Sequence, residues 1–421
     1  MKNISPALSC ATCTLLGLAT PPAISAAEPW DIDLGLMNYI EQDRNTGIEF
    51  LVNARRELAN GDEVTLGVEI DTLTGATPNG ATSTNVVQTF TQSSGNGSYW
   101  VDANQLPADS THMDTRLAIE GGYRDQFSSD FAIGYDGHMS MEFDYLSFGF
   151  GNSYQWDLDR RNTSLYLGIY GEYNRVHPVG NIPLPFAPMT PAGSLQNRRD
   201  AADTRSAAEI SIGLTQVIDR HSLLQLRFTQ SHFSGYLNDP YKLLSVIDDQ
   251  NPANLGATLE YRFENRPSTR NLDTLYVAYK REFTGDVLDA SLRLSNDDWG
   301  IEATALDLRY RYRLAGKSYL QPHLRLYQQH QADFFRYNLV ASETLPDYAS
   351  ADTRVAAFDA VTVGLKYGFA ADNGGSHGIA MEYYTQRGDS NPAEAVGLQR
   401  EQDLFPTLDT LLIKYLYSTR W

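Results

Sequence analysis

The sequence predicts an all-β protein, a transmembrane up-and-down antiparallel β-barrel with long extracellular loops. Three observations support this prediction. From Asp31 onward, runs of about 8 to 14 residues alternate apolar with polar or small side chains and end in turn residues. Short and long connections alternate between these runs. The chain ends on an aromatic residue, Trp421, which shares its parity with the apolar residues before it.

The first 27 residues differ from the rest and are expected to be a cleaved export signal. Lys2 supplies a positive start, residues 7–20 are uncharged and largely apolar, and small residues occupy positions 25–27, where a signal peptidase would cut. A membrane anchor is the less favoured alternative, because the apolar part is shorter than the ~20 residues that span a bilayer. We therefore expect residues 28–421 to form a barrel in the outer membrane of a Gram-negative cell.

Composition excludes several classes of function. The only two cysteines, Cys10 and Cys13, lie within the predicted signal, so the exported chain has no disulfide, thiolate metal site or cysteine nucleophile. No stretch after the signal approaches ~18 consecutive apolar residues, which argues against membrane-spanning helices. A formal net charge of −19 argues against nucleic acid as a partner. The eight histidines show no metal-binding spacing, and we predict neither a metal nor a cofactor.

The alternation is clearest between Glu63 and Asp71. One parity holds apolar residues that suit lipid, and the other holds polar or small residues that suit water: Val64, Leu66, Val68 and Ile70 against Thr65, Gly67, Glu69 and Asp71. The 25 tyrosines and 17 phenylalanines match the aromatic girdles that barrels place at both membrane interfaces.

Connection lengths separate a membrane barrel from a soluble sandwich. Tight turns are expected at residues 59–62, 219–221, 284–286 and 315–317, and long loops at 72–112, 175–204, 234–254, 331–353 and 388–407. About 17 runs read as strands, whereas single-chain barrels close with an even number. We expect 16 strands if two neighbours merge, or 18 if residues 241–248 form an additional strand, and we favour 18.

The last residues form the most specific local signal. Apolar and aromatic residues occupy alternate positions up to the end of the chain: Leu411, Ile413, Tyr415, Tyr417 and Trp421. This pattern resembles the segment by which the barrel-assembly machinery recognises its clients. We therefore expect that machinery and outer-membrane lipid to be partners.

The predicted inner face carries a lopsided charge. Its acidic members come mainly from the first half of the chain, where Arg55 and Arg116 are exceptions. Its basic members come mainly from the second half, where Glu260, Asp289, Asp307 and Glu382 are interspersed. Strands far apart in sequence lie on opposite walls of a barrel, so the lumen should hold a transverse field that orients dipolar solutes. The alternative is a salt-bridged core that conducts nothing. The predicted lumen-lining residues are Glu49, Glu69, Asp71, Glu120, Glu172, Glu209, Arg227, Arg262, Arg293, Asp307, Arg309, Arg311, Arg313, Arg325, Lys366 and Lys414.

One short motif resembles a catalytic one. Outer-membrane phospholipases place a histidine two residues before the nucleophilic serine on a barrel strand, and His232 precedes Ser234 in the same way. An Asn or Asp on a neighbouring strand would have to orient the imidazole, and the sequence alone does not identify one. Polar residues at a barrel rim are ordinary, so we predict no catalytic residues and keep a lipid hydrolase as the alternative.

Six segments together resemble a family of exported proteins of unknown function. They are Tyr39–Arg44, Asp71–Ala81, Ser234–Lys242, Tyr261–Pro267, Asp297–Ile301 and Ala332–Phe335. The resemblance implies an outer-membrane barrel. Genes of that family often neighbour a flavin transferase and a thioredoxin-like protein, which implies periplasmic or redox partners. The resemblance provides no catalytic residues.

These observations predict a porin-like channel for small charged solutes, or the membrane sleeve of an envelope assembly that is linked to redox chemistry.

Overall fold

The fold is known from a computed structural model that describes residues 29–42, 44–92, 97–194, 196–371 and 374–421. The predicted export signal at residues 1–27 lies outside these ranges. No helix in the described part of the chain is long and apolar enough to span a membrane. The helical segments described are three short 3-10 turns, Asp159–Arg161, Thr353–Val355 and Gly397–Glu401.

The described residues form 21 strands, numbered here in chain order. They are β1 (Asp31–Glu41), β2 (Asn45–Glu57), β3 (Glu63–Pro78), β4 (Gln88–Thr91), β5 (Ser98–Val101), β6 (Ala108–Ser128), β7 (Phe131–Met141), β8 (Tyr145–Leu158), β9 (Thr163–Val176), β10 (Asp203–Asp219), β11 (Ser222–Gly235), β12 (Leu243–Ile247), β13 (Thr258–Phe263), β14 (Thr269–Phe283), β15 (Asp286–Asp297), β16 (Glu302–Arg313), β17 (Tyr319–Gln329), β18 (Leu339–Val340), β19 (Phe358–Ala370), β20 (Ser376–Arg387) and β21 (Leu408–Arg420).

Sixteen of these strands close into one antiparallel barrel, in the order β1-β2-β3-β6-β7-β8-β9-β10-β11-β14-β15-β16-β17-β19-β20-β21. The seam joins β1 to β21, with Asp31 opposite Arg420. Beyond these strands, Trp30 and Trp421 exchange two backbone hydrogen bonds of 2.7 and 2.8 Å. Closure satisfies the backbone groups that an open sheet edge would leave unpaired in lipid. The predicted all-β barrel is confirmed.

The two faces of the wall differ as the alternation predicts. On β3, Leu66, Val68 and Ile70 are exposed to the outside, although they are large and apolar. The same holds around the barrel, for example at Phe150, Ile212 and Ile379. A continuous apolar surface of this kind is not stable in water and marks the belt that contacts lipid.

The two ends of the barrel differ in the length of their connections. All turns on the side of the termini are short, and the five long loops, residues 79–107, 177–202, 236–268, 330–357 and 388–407, all leave from the other end. Short turns face the periplasm in barrels of this type, so the long loops are extracellular. The predicted placement of the long loops at one end is confirmed.

The preferred strand number was wrong. A strand does form within residues 241–248, namely β12, but it pairs with β13 and β18 in a separate three-stranded sheet. The run that ends at Phe263, which the sequence pattern assigns to the wall, is β13 of that sheet. A loop strand that packs one face on other loops alternates just as a membrane strand does, so periodicity alone does not distinguish the two.

Candidate functional site

The five long loops fold together into one unit, which we call the loop cap. They leave the rim at separate points, such as between β3 and β6, between β11 and β14, and between β17 and β19. Residues from distant rim points then meet: β12 pairs in parallel with β18, and Leu243 donates its backbone N–H to the carbonyl of Asn79 at 2.8 Å. Loops that start far apart on the rim can meet only across the opening that the rim surrounds, so the cap covers the extracellular mouth.

The cap has its own hydrophobic cores. One joins Phe90 and Tyr99 to Leu243 and Phe263, from two different loops. A second gathers aromatic side chains, Trp299, Phe334, Phe335 and Phe405, from three connections. Each fully buried side chain of this size stabilises the cap by about 1.5–3 kcal/mol. The proline-rich loop 177–202 belongs to the same unit, with Ile182 fully buried.

An ionic network ties two of the loops together. Arg266 lies 2.7 Å from Asp352 and 2.9 Å from Glu264, and Arg354 lies 2.6 Å from Asp239. The Lys242 ammonium donates to the carbonyl of Pro78 at 2.5 Å, and the Ser350 hydroxyl donates to Glu264 at 2.6 Å. Three acids and three bases thus balance one another, and Glu264 and Asp352 are almost wholly buried. Such a network holds only while its partners remain together.

Burial and attraction compete in setting the pKa values of these acids. Burial raises the pKa of Asp239, but Arg354 and Lys242 lower it more, and the result is about 2. The pKa of Asp352 is likewise well below its usual range, because Arg354 and Lys242 outweigh burial. Burial raises the pKa of Glu264, and Arg266 only partly offsets this.

The cap should therefore lose order only in strong acid. Asp239 and Asp352 have folded pKa values below their unfolded ones, so their contribution is present above about pH 4 and is lost as the pH falls through the folded values. Glu264 acts in the opposite direction, since its raised pKa favours the protonated form. Hydrogen exchange of residues 236–268 and 330–357, corrected for intrinsic rates, should show steady protection down to about pH 5 and loss toward about pH 2. Loss already near pH 6 would contradict this.

On the inner face, the acidic residues from the first half are spread over neighbouring strands from β2 to β10. Arg116 pairs with Glu69 and, at 2.6 Å, with Asp71. Further along, Glu172 accepts from the Tyr170 hydroxyl at 2.8 Å. Other predicted acids occupy inward positions of neighbouring strands: Glu49 on β2, Glu120 on β6, and Glu209 on β10. This region is the acidic wall.

The basic residues occupy the inward positions of the later strands. Asp307 contacts Arg309 at 3.4 Å and His323 at 3.0 Å, and His323 also reaches Glu382 at 3.0 Å. Lys414 pairs with Glu382 at 2.6 Å. The remaining members are Arg227 on β11, Arg293 on β15, Arg311 and Arg313 on β16, Arg325 on β17 and Lys366 on β19. This region, partly neutralised by its own acids, is the basic wall.

The middles of the two walls lie across the lumen from each other, whereas their edges adjoin at the β10–β11 pair and beside the β1–β21 seam. In the closed strand order, eight steps separate β6 from β16, which is half of a 16-strand ring. Arg116 and Glu120 on β6 therefore lie opposite the strand of Arg309, Arg311 and Arg313. Arg311 stacks on the Tyr319 ring at 3.7 Å and is exposed near the periplasmic end.

One predicted lumen residue is not on the wall. Arg262 belongs to β13 in the cap, where it donates to the carbonyl of Phe186 at 2.9 Å and to Glu260 at 2.7 Å. The prediction that it lies on a barrel strand was wrong, because β13 was taken for a wall strand.

The predicted assembly residues lie on β21 and just after it. Ile413 and Tyr415 are exposed on the lipid side, Leu411 and Tyr417 share their parity, and Trp421 is 85% exposed. Recognition by the assembly machinery stays a prediction.

Sequence reasoning missed the ionic network of the cap. The sequence analysis assigned no role to Glu264 or Asp352. One signal was present: both loops carry an acid two positions before an arginine, in Glu264-Asn-Arg266 and Asp352-Thr-Arg354.

One family model matches the chain over nearly its whole length. It covers residues 5–419 and describes a protein of unknown function (DUF3570). No protein of curated function matches the chain. Similar solved structures include a point mutant of the ferric enterobactin receptor PfeA from Pseudomonas aeruginosa, with 11% identity, a TM-score of 0.45, and coverage of 94% of this chain and 60% of that one.

Two further structures are similar. The siderophore receptor PirA from Acinetobacter baumannii shows 9% identity and a TM-score of 0.43, and the match covers 87% of this chain and 54% of that one. A mutant of TodX, a monoaromatic hydrocarbon channel, shows 10% identity and a TM-score of 0.40 over 94% of this chain and 91% of that one. The chain spans less than two thirds of the two receptors.

Proposed function

The chain belongs to the DUF3570 family of proteins of unknown function, and we propose that it is an outer-membrane channel for small charged solutes whose extracellular mouth is covered by the loop cap. The observation that carries this proposal is the pair of opposed charged walls. Ionised side chains on an inner face need water or partners. Arg311 and Arg313 are exposed near the periplasmic end, as a water-filled entrance requires.

The opposed walls define which solutes such a channel would favour. An acidic wall and a basic wall across one lumen attract the two ends of a dipolar or zwitterionic solute at the same time. Uncharged apolar solutes gain nothing from this arrangement. The cap would decide when the solute enters, because it covers the mouth in the described state.

We also propose that the chain reaches the outer membrane through export directed by residues 1–27 and through recognition of its C-terminal strand by the barrel-assembly machinery.

The Arg309→Gln, Arg311→Gln and Arg313→Gln triple variant is expected to shift the channel toward cations and to lower its single-channel conductance. The reason is that these residues supply the basic wall near the periplasmic entrance. The reversal potential in a KCl gradient across a planar bilayer measures the shift. The matched control replaces Arg160, Arg161 and Arg220, which lie in periplasmic turns outside the lumen, with glutamine.

Equal reversal potentials for the two triple variants and the wild type would contradict the proposed role of the basic wall. A barrel that inserts but never conducts would favour the alternative function, a membrane sleeve for an envelope assembly.

A further inference from the structure

The lipid-facing surface becomes polar at the extracellular ends of β10, β11 and β14. Phe228 on β11 lies between Ile212 and Leu275, all three in the apolar belt. Four residues further along β11, roughly 13 Å along the strand, His232 is exposed on the same outer face. His232 thus lies just above the apolar belt, at the depth where lipid head groups and acyl esters meet water.

His232 is held by a residue of the neighbouring strand. Its register partner on β14 is Asn271, and His232 Nδ1 lies 2.7 Å from Asn271 Oδ1. Asn271 is in turn held by Asp298 of the β15–β16 connection. The Asn271 backbone N–H and side-chain Nδ2 donate to the two carboxylate oxygens of Asp298 at 2.9 and 2.6 Å.

This chain of hydrogen bonds assigns the state of the imidazole. Because Asn271 Nδ2 donates to a carboxylate, which only accepts, Oδ1 is the amide atom that faces His232. Oδ1 is an acceptor, so Nδ1 of His232 must carry the proton. In the neutral imidazole the lone pair then belongs to Nε2, which is the tautomer of a general base.

A serine follows this base on the same face of the strand. Ser234 is two residues beyond His232 on the same strand and the same outer face, about 7 Å along the strand, a spacing that the length of an imidazole can bridge. Across from it on β10, the Ser206 hydroxyl lies 3.0 Å from Ser234 Oγ. Gly235 follows with φ +103°, and a Cβ there would lie 2.3 Å from the carbonyl of Thr204, so the chain can turn at this point only with glycine.

We infer that Ser234, His232 and Asn271 form a serine-esterase site on the outer surface of the barrel, acting on acyl-ester lipids of the outer leaflet. The three residues supply a nucleophile, a base with its lone pair on Nε2, and a group that orients the base. Asp298 is a positioning residue. This activity is independent of the channel, because the site faces lipid and the lumen lies on the other side of the wall.

The reaction balances with water as the second substrate. Ser234 Oγ attacks the ester carbonyl carbon while His232 Nε2 takes the hydroxyl proton. We assign the Ser206 hydroxyl, 3.0 Å from Ser234 Oγ, the role of donor to the oxyanion. The carbon–oxygen bond to the alcohol breaks, and the alcohol leaves with the proton from His232. Water, deprotonated by His232, then attacks the acyl-serine, the fatty acid departs, and the proton returns to Ser234.

The first test is covalent labelling of the purified full-length protein in detergent with an alkyl fluorophosphonate, which reacts with activated serines. Mass spectrometry should find the label on Ser234. Ser234→Ala should not be labelled, and His232→Gln should be labelled about 10²- to 10⁴-fold more slowly, the usual contribution of a general base. Ser231→Ala is the matched control, since Ser231 lies on the same strand but on the inner face, where it donates to Glu209 at 3.0 Å.

The second test is release of fatty acid from phosphatidylcholine in mixed micelles. The wild type and Ser231→Ala should release it at equal rates, Ser234→Ala should show only background, and Asn271→Ala should be intermediate with an altered pH profile. Retained heat-modifiable migration on gels shows that each variant is folded. A folded wild type that is not labelled at Ser234, or that releases no more fatty acid than Ser234→Ala, overturns the inference.

Discussion

Replacing Arg266 with alanine is expected to disorder the loop cap while the barrel stays closed. Arg266 is 8% exposed and pairs with Glu264 and Asp352, both of which are buried. Without it, Glu264 loses the only guanidinium in contact with it among the described residues, and Asp352 keeps Arg354 and the nearby charge of Lys242. Breaking a buried ion pair from one side costs about 3–5 kcal/mol, which is comparable to the stability of a small unit such as this cap.

Hydrogen exchange distinguishes an effect of the substitution on the cap from an effect on the barrel. Residues 236–268 and 330–357 should lose protection in Arg266→Ala, whereas the strands of the barrel should keep theirs. Arg336→Ala is the matched control, because Arg336 lies in the same loop region but is exposed and contacts backbone carbonyls. Equal protection of the cap in the wild type and Arg266→Ala would show that the ionic network does not hold the cap.

Trp421→Ala is expected to prevent most of the protein from entering the outer membrane of cells while leaving its refolding in detergent unchanged. The substitution keeps the backbone hydrogen bonds between Trp421 and Trp30 that continue the β1–β21 seam, and removes an aromatic ring that is 85% exposed. The ring therefore contributes little to the folded barrel. We therefore expect the ring of Trp421 to act through recognition by the barrel-assembly machinery.

Comparing insertion in cells with refolding in detergent separates recognition by the assembly machinery from folding itself. The folded fraction is measured from heat-modifiable migration in isolated outer membranes and after refolding of the purified chain. Trp100→Ala serves as the control, since Trp100 is an exposed aromatic residue on β5 in the cap. Normal insertion of Trp421→Ala in cells would rule out the terminal aromatic as an assembly signal.

Most of the wall could be predicted from sequence, because lipid on one side and polar side chains on the other impose alternation on every strand. The pattern at Val64, Leu66, Val68 and Ile70 corresponds directly to the outer face of β3. The error at β12 and β13 arose because the same alternation forms wherever a short strand buries one face. A loop strand differs from a wall strand only in its pairing partners: a loop strand pairs with other loop strands, and a wall strand pairs with its neighbours in the barrel.

The sites were less predictable because they depend on contacts between distant residues. The order of charges along the chain placed acids and bases on opposite walls, since strand order follows sequence order. The motif of His232 and Ser234 was visible, but Asn271 was not, because the whole of loop 236–268 separates β11 from β14. Likewise, Arg266 and Asp352 come from different loops, and no local pattern predicts their 2.7 Å contact.

We propose that this barrel conducts small charged solutes when its cap opens. Planar-bilayer recording of the wild type and Arg266→Ala tests it most directly. We expect rare or short openings for the wild type, frequent stepwise openings for Arg266→Ala, and reduced step size when Arg309, Arg311 and Arg313 are also replaced by glutamine. A properly folded, inserted Arg266→Ala barrel with a disordered cap and no conductance would contradict it.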